Sequence, residues 1–379
     1  MTEFHAAREL AHAAGLAAPR TMERVELVET IGRTLATAVI ATAPLPGFAS
    51  AAMDGWVVAG DGPWMLGAPI KAGDNIPTER LTPGAARPIS TGAPLPPGVA
   101  RVIRSERGES RDGALRETTA DTGRHVREAG EEAGTAEVLI APGTRLTPPR
   151  VALAAGAGYD VLEVAIPPTV QLLVLGDEVV ASGRAVPGRV RDVFTPAVPA
   201  VLTEFGTRSA QLGRVGDSLE ETTEAFAATT AQLLVTTGGS ARGPADHVRA
   251  SLAALDAEML LDGIRMRPGH PLLLARLGST LVLCLPGNPL AAYVGLVAIG
   301  GALVDGMLGR PLAPLGQITL AESVPGGPST RLVPVVRATP TEHQGAGMLR
   351  GLAEADLLAI IPPSGAGVGD GVDYLPLPW

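Results

Sequence analysis

The sequence predicts an α/β plus β protein of several subdomains: a central parallel-sheet α/β domain, an inserted β domain and a C-terminal β domain. Three observations carry this. Between residues 169 and 309, strand-like apolar runs alternate with helical ones, and such alternation builds a parallel sheet with helices on its faces. Residues 53–125 instead hold short apolar runs between Gly and Pro turns, the pattern of a small β domain. The same pattern returns from residue 311.

Taken in order, residues 3–17 have helical spacing, with Phe4, Leu10 and Ala14 on one side. A second helix is expected over residues 25–40, ended by the turn Ala43-Pro44-Leu45-Pro46-Gly47. The β domain follows. Within it the charged stretch 105–132 is expected as an exposed hairpin and loop region. Apolar runs over 136–166, with a helix at 148–157, are expected to pack back on the N-terminal helices. The division is therefore 1–46 with 136–166, then 47–135 as the insertion, 167–310 and 311–379. In the α/β part, strands are expected at 170–174, 233–236 and 281–285, and helices at 195–204, 219–229, 246–255 and 289–308.

Composition narrows the function. The 379 residues carry a net charge of −9, which repels a phosphate backbone and argues against a nucleic-acid binder. A small anion remains compatible, because local amides and arginines outweigh a distant field. Aromatics are only 3%, so Val, Leu, Ile and Ala must build the cores. The single cysteine, Cys284, lies in an apolar run. It excludes an internal disulfide, fits a reducing compartment and suits a small buried hydrophobe. The apolar stretch 290–308 holds four glycines and Asp305, so a buried or amphipathic helix is expected rather than membrane insertion. The N-terminus lacks a basic start and an apolar signal core, and a cytoplasmic location is expected.

Three strand ends draw attention, since ligands of parallel α/β sheets sit there. Gly238 and Gly239 follow one strand, and Pro244 would open the next helix. Positive φ at the glycines lets a ligand approach the backbone, and a helix start favours an anion; an ordinary turn has the same residues. Pro286-Gly287-Asn288-Pro289 follows another strand, where Asn288 can cap the helix beginning at Pro289. Asp177 and Glu178 follow a third. Such carboxylates can hold Mg²⁺, which takes one or two of them plus substrate oxygens; an acidic surface turn looks the same. Asp217 and Asp246 come from other loops of this domain. The six histidines lack zinc spacing, and no hydrolase elbow, P-loop or dinucleotide fingerprint is present.

The order Pro46-Gly47-Phe48, Ala52-Met53-Asp54-Gly55, Thr91-Gly92-Ala93-Pro94, Gly130-Glu131-Glu132, Gly176-Asp177-Glu178, Thr237-Gly238-Gly239, Arg267-Pro268-Gly269-His270-Pro271 and Leu285-Pro286-Gly287-Asn288-Pro289 resembles the molybdopterin molybdenumtransferases, the MoeA type that also forms the E domain of gephyrin. The resemblance runs from about residue 23 to the end, and its specificity lies in the joint order of the motifs. It implies an elongated homodimer of four subdomains with a molybdopterin-binding-like third. It implies an enzyme that takes adenylylated molybdopterin and molybdate and, with Mg²⁺, releases AMP and molybdenum cofactor. The cleft is implied to lie between the third subdomain of one subunit and the second of its partner. On matching positions, Glu178, Asp217 and Asp246 would be catalytic, with Glu178 and Asp246 on the metal. Gly238, Gly239 and Ser240 would meet the phosphate. Arg267, Pro268, His270, Pro286, Asn288 and Pro289 would shape the molybdate and dithiolene end. Asp54, Thr91, Arg127 and Glu132 would reach in from the second subdomain.

The chain departs from the family pattern mostly at hydroxyl and ammonium groups. The serine of the glycine loop falls on Ala241, that of a C-terminal Gly-Ser-Gly on Ala346, and the Asp-Ser/Thr-Asn run is Asp192-Val193-Phe194. Two lysines become Arg267 and His270, and a third falls on Gly263. Arginine keeps a lysine's charge with different geometry. The alternative to the enzyme is therefore a degenerate paralogue acting as a gephyrin-like scaffold, docking a protein partner through its third and fourth subdomains.

Overall fold

The computed structural model describes residues 1–120, 122–241, 243 and 246–379. Two compact units form: Met1–Thr37, Pro142–Thr147 and Val161–Trp379 make one, and Ala38–Ala141 with Pro148–Asp160 the other.

The first unit is built on a six-stranded sheet in the order Gln211–Val215, Val170–Leu175, Leu233–Thr237, Thr280–Leu285, Leu273–Leu277, Glu258–Asp262. The first four run parallel; the last two add antiparallel. Strands covered on both faces are apolar throughout, and every residue of Leu233–Thr237 and Thr280–Leu285 is buried. Alternate side chains divide between two cores. Leu172, Val174, Val235 and Leu283 join the core that includes the N-terminal helix. Leu173, Leu234, Val282 and Cys284 face Phe226, Val248 and Leu252 of the helices Leu219–Ala227 and Val248–Ala254. Cys284 is thus the buried small hydrophobe expected, its thiol pushed up to about 12 by burial.

The apolar stretch after Asn288 is one continuous helix, Pro289–Gly295, a π turn Leu296–Gly300, and Gly301–Leu308. It is long and apolar enough to cross a membrane, but 89% of its most apolar 18-residue window is buried inside the protein, so it is a core helix. The N-terminal helix, Phe4–Leu16, crosses it backbone to backbone. A Cβ on Gly15 would lie 2.2 Å from the Leu303 carbonyl oxygen, and one on Gly306 would lie 2.1 Å from that of His12. Glycine at both positions is what permits the crossing.

The C-terminal β domain is present and recruits distant strands. Its sheet runs Thr2–Glu3, Ile264–Arg267, Thr330–Val336, Leu357–Ile361, Gly371–Pro376, Gly316–Thr319, with Thr339–Pro340 paired to Thr330–Val336. The helix expected at 25–40 does not form. Met22–Glu26 is a strand with alternating exposure, paired antiparallel with Val161–Ala165. After it come a short 3₁₀ turn, Leu27–Glu29, and the strand Val39–Ile40. Nine β-branched or glycine positions (Val25, Val28, Thr30, Ile31, Gly32, Thr34, Thr37, Val39, Ile40) weaken a helix there, and the ladder to the 161–165 strand decides against it.

The second unit holds a six-stranded sheet in the order Arg101–Arg104, Gly55–Val58, Ala85–Ile89, Trp64–Leu66, Ala114–Glu117, Gly108–Arg111. The charged stretch forms the expected hairpin, Gly108–Arg111 against Ala114–Glu117. The helix Pro148–Gly156 belongs to this unit. The α/β plus β class is thus the observed one.

Candidate active site

Three loops leave the carboxyl ends of adjacent parallel strands, after Leu175, Thr237 and Leu285, and wall a cavity of about 600 Å³. This is where the sheet order reverses between neighbours, the position at which such folds bind ligands. Glu178, Gly238, Gly239, Ser240, Asp246, Pro286, Asn288 and Pro289, all singled out from sequence, line it.

The glycine loop is held tightly. Gly238 and Gly239 have φ of 90° and 63°, and a Cβ on Gly238 would lie 2.9 Å from the Leu175 carbonyl oxygen. The Gly238 N–H donates to the Leu285 carbonyl at 3.1 Å. The Ser240 hydroxyl donates to the same oxygen at 3.4 Å, so it braces the loop against the neighbouring strand. Asp246 accepts from the Gly243 N–H and closes the end of the loop. The helix start expected at Pro244 falls outside the described residues; the described helix begins at Val248. Asn288 occupies the N-cap position of the helix from Pro289, yet its side chain makes no capping bond. Instead it borders two cavities.

Glu178 and Asp246 bring carboxylates to this one cavity. The Glu178 carboxylate folds back over Gly176, into the space a Cβ there would take. Asp217 does not join them. It is exposed beyond the edge strand and accepts from the Asp177 N–H at 3.3 Å. Among the described residues no group of three or more His, Cys, Asp or Glu could hold a metal ion. The donor set therefore fits a cation shared with a substrate's oxygens and does not fit an all-protein cage.

Asp192 also lines the cavity, a position not chosen from sequence. It is 3% exposed. Its carboxylate accepts from the N–H groups of Phe194 and Thr195 at 2.8 and 3.0 Å and pairs with Arg214. Burial pushes this carboxyl up, but the Thr195 and Phe194 bonds and the Arg214 charge outweigh that and hold it below the usual carboxylate range. In the run Asp192-Val193-Phe194 it is the one residue that agrees with the Asp-Ser/Thr-Asn pattern of the resemblance.

A second cavity, of about 390 Å³, shares Pro271, Pro286 and Asn288 with the first. Arg267, Pro268 and His270 line it, joined by Arg331 and Gln344, which sequence reasoning missed. Arg331 is the strand partner of Arg267 across a parallel pair, a neighbourhood that separation of 64 positions hides. Its guanidinium donates to the Pro325 carbonyl at 2.8 Å and to Gln344 at 3.4 Å. Ala241 lies on the wall of the first cavity and Ala346 on that of the second.

In the other unit, Asp54 accepts from Thr91. Arg127 and Glu132 line a different cavity, of about 700 Å³, with Pro46 and Glu131.

Comparison with known proteins follows the same lines. Residues 2–158 match the MoeA N-terminal region (domain I and II), 171–304 the probable molybdopterin binding domain and 320–377 the MoeA C-terminal region (domain IV). The chain is 31% identical to the molybdopterin molybdenumtransferase of Synechococcus elongatus over 383 residues, 95% of each chain. It is 28% identical to that of Bacillus subtilis over 379 residues, covering 92% of this chain and 88% of the other. The crystal structure of a molybdopterin biosynthesis MoeA protein from Pyrococcus horikosii superposes with a TM-score of 0.78 at 24% identity, covering 100% and 99%; this similarity is one of fold. Fold and site together define an enzyme of molybdenum cofactor biosynthesis. The chain belongs to the molybdopterin molybdenumtransferase family.

Proposed function

We propose that this protein inserts molybdenum into adenylylated molybdopterin and releases AMP. What supports the reading is that an acidic, glycine-walled cavity holding Glu178 and Asp246 shares Pro271, Pro286 and Asn288 with a second cavity holding the cations Arg267 and Arg331. One end suits a phosphate with a shared cation, and the other suits molybdate, an oxyanion substrate. The bond to be broken is the phosphoanhydride: water adds to one phosphorus, the bridging P–O bond breaks, and AMP departs. Mg²⁺, when bound by Glu178 and Asp246, would neutralise charge building on the phosphate oxygens. Gly238 and Gly239 let the phosphate approach the backbone. Arg267 and Arg331 orient the oxyanion, Pro271 and Pro286 fix the wall between the two sites, and Pro289 shapes the first.

The same reading carries the four-subdomain division and a cytoplasmic homodimer, in which Asp54, Thr91, Arg127 and Glu132 of the second subdomain serve the partner's cleft. A second reading rests on Ala241 and Ala346: with alanine on each wall where the family resemblance expects serine, the chain would bind a protein partner and turn nothing over. The test is AMP release from adenylylated molybdopterin with molybdate and Mg²⁺. Turnover supports the enzyme. No AMP and no nucleotide binding by calorimetry, together with a specific partner whose capture survives Asp246→Ala, supports the scaffold.

A further inference from the structure

Arg249 stands outside every motif considered so far and makes an unusually complete set of bonds. It projects from the helix Val248–Ala254. Its Nη1 donates to two successive carbonyls of the glycine loop, Ser240 and Ala241, at 2.6 Å each. Its Nε and Nη2 donate to one oxygen of Asp262, at 3.0 and 2.7 Å. Asp262 ends the edge strand Glu258–Asp262, so the guanidinium ties that strand to the loop. The pair is partly shielded, with side-chain exposures of 23% and 41%.

The loop is thereby held from both sides. Leu285 fixes its start through the Gly238 N–H and the Ser240 hydroxyl, and Arg249 fixes its far end. Glycine gives the backbone freedom that an anion site cannot tolerate unless something else removes it. Arginine's planar fork suits this because it holds several acceptors in fixed directions, which an ammonium cannot. It also occupies carbonyl oxygens that would otherwise repel a phosphate. We infer that Arg249, backed by Asp262, is a positioning residue: a clamp that sets the Gly238–Ala241 backbone for the phosphate of the adenylylated substrate. This rests on the function proposed above.

The experiment compares wild type with Arg249→Ala, Arg249→Lys and Asp262→Asn, after thermal melts establish folding. Expected for Arg249→Ala is a rise of about tenfold or more in KM for adenylylated molybdopterin, with kcat changed less than about threefold. Arg249→Lys should recover only part of the loss, and millimolar guanidinium should rescue Arg249→Ala but not Asp246→Ala. Asp262→Asn, the gentler variant should Arg249→Ala not fold, should shift KM in the same direction by less. Hydrogen exchange at the 238–241 amides, measured without substrate, should quicken in Arg249→Ala. An unchanged KM with unchanged exchange overturns the clamp. If wild type releases no AMP, the proposed function fails on its own; unaltered exchange in the variants then overturns the clamp separately, and quickened exchange upholds it.

Discussion

One oxygen of Asp54 accepts two hydrogen bonds from Thr91, from the backbone N–H at 2.6 Å and from the hydroxyl at 2.9 Å. Two motifs 37 positions apart, each an unremarkable turn alone, thus form a single structure. The backbone bond and then the hydroxyl bond hold the Asp54 carboxyl below its ordinary value of 3.8. Whatever stability the pair adds is present above that value and is lost as pH falls through the lower folded-state one. Carboxyl titration by NMR should find Asp54 depressed in wild type and higher in Thr91→Val, which keeps the N–H. An unmoved Asp54 in that variant would count against the hydroxyl's part.

Asp192→Ala should be the most destabilising change on the cavity wall. It strips the Phe194 and Thr195 N–H groups of their acceptor and leaves Arg214 unpaired. With Arg214 partly in solvent, we expect a loss of about 2–3 kcal/mol in urea unfolding. The folded-state carboxyl is depressed, so this stabilisation is complete above about pH 4 and fades as pH drops further. A loss of less than about 0.5 kcal/mol would mean that the pair is incidental.

The carboxylates should separate by function. Asp246→Ala and Glu178→Gln remove groups on the cavity wall and should each cost at least about tenfold in AMP release. Glu178→Gln should also raise the Mg²⁺ needed for half-maximal rate. Asp217→Asn, off the wall, should stay within about threefold of wild type. Equal losses at all three would show that Asp217 reaches the substrate after all.

Gly306→Ala should cost about 1–3 kcal/mol, seen as a lower Tm, because its methyl would meet the His12 carbonyl. A control, Gly156→Ala, has nothing within 4 Å of the added carbon and should leave Tm unchanged or raise it.

Periodicity and turn chemistry made the central domain legible. The buried strands from Val170, Leu233 and Leu281 are apolar runs that nothing else explains, and the glycines and prolines after them mark the ligand-bearing edge. Less visible were the pieces whose structure depends on distant partners. The edge strand Gln211–Val215 is largely exposed, and Gly213 and Arg214 interrupt its two apolar residues, so it carries no core signal. Met22–Glu26 is a strand only because Val161–Ala165 lies beside it. Arg331 and Arg249 were missed for a related reason: each is one arginine among 29 until pairing sets it beside Arg267 or the glycine loop. Asp217 was chosen for its charge and loop position, and geometry turns it instead toward the Asp177 N–H.

The most direct test is a crystal of this protein soaked with AMP, Mg²⁺ and molybdate, with data collected on both sides of the molybdenum edge. The account predicts the AMP phosphate against Gly238 and Gly239 with Mg²⁺ at Glu178 and Asp246, and an anomalous molybdenum peak beside Arg267 and Arg331. AMP density elsewhere, or molybdenum scattered over surface arginines with that cavity vacant, would contradict it.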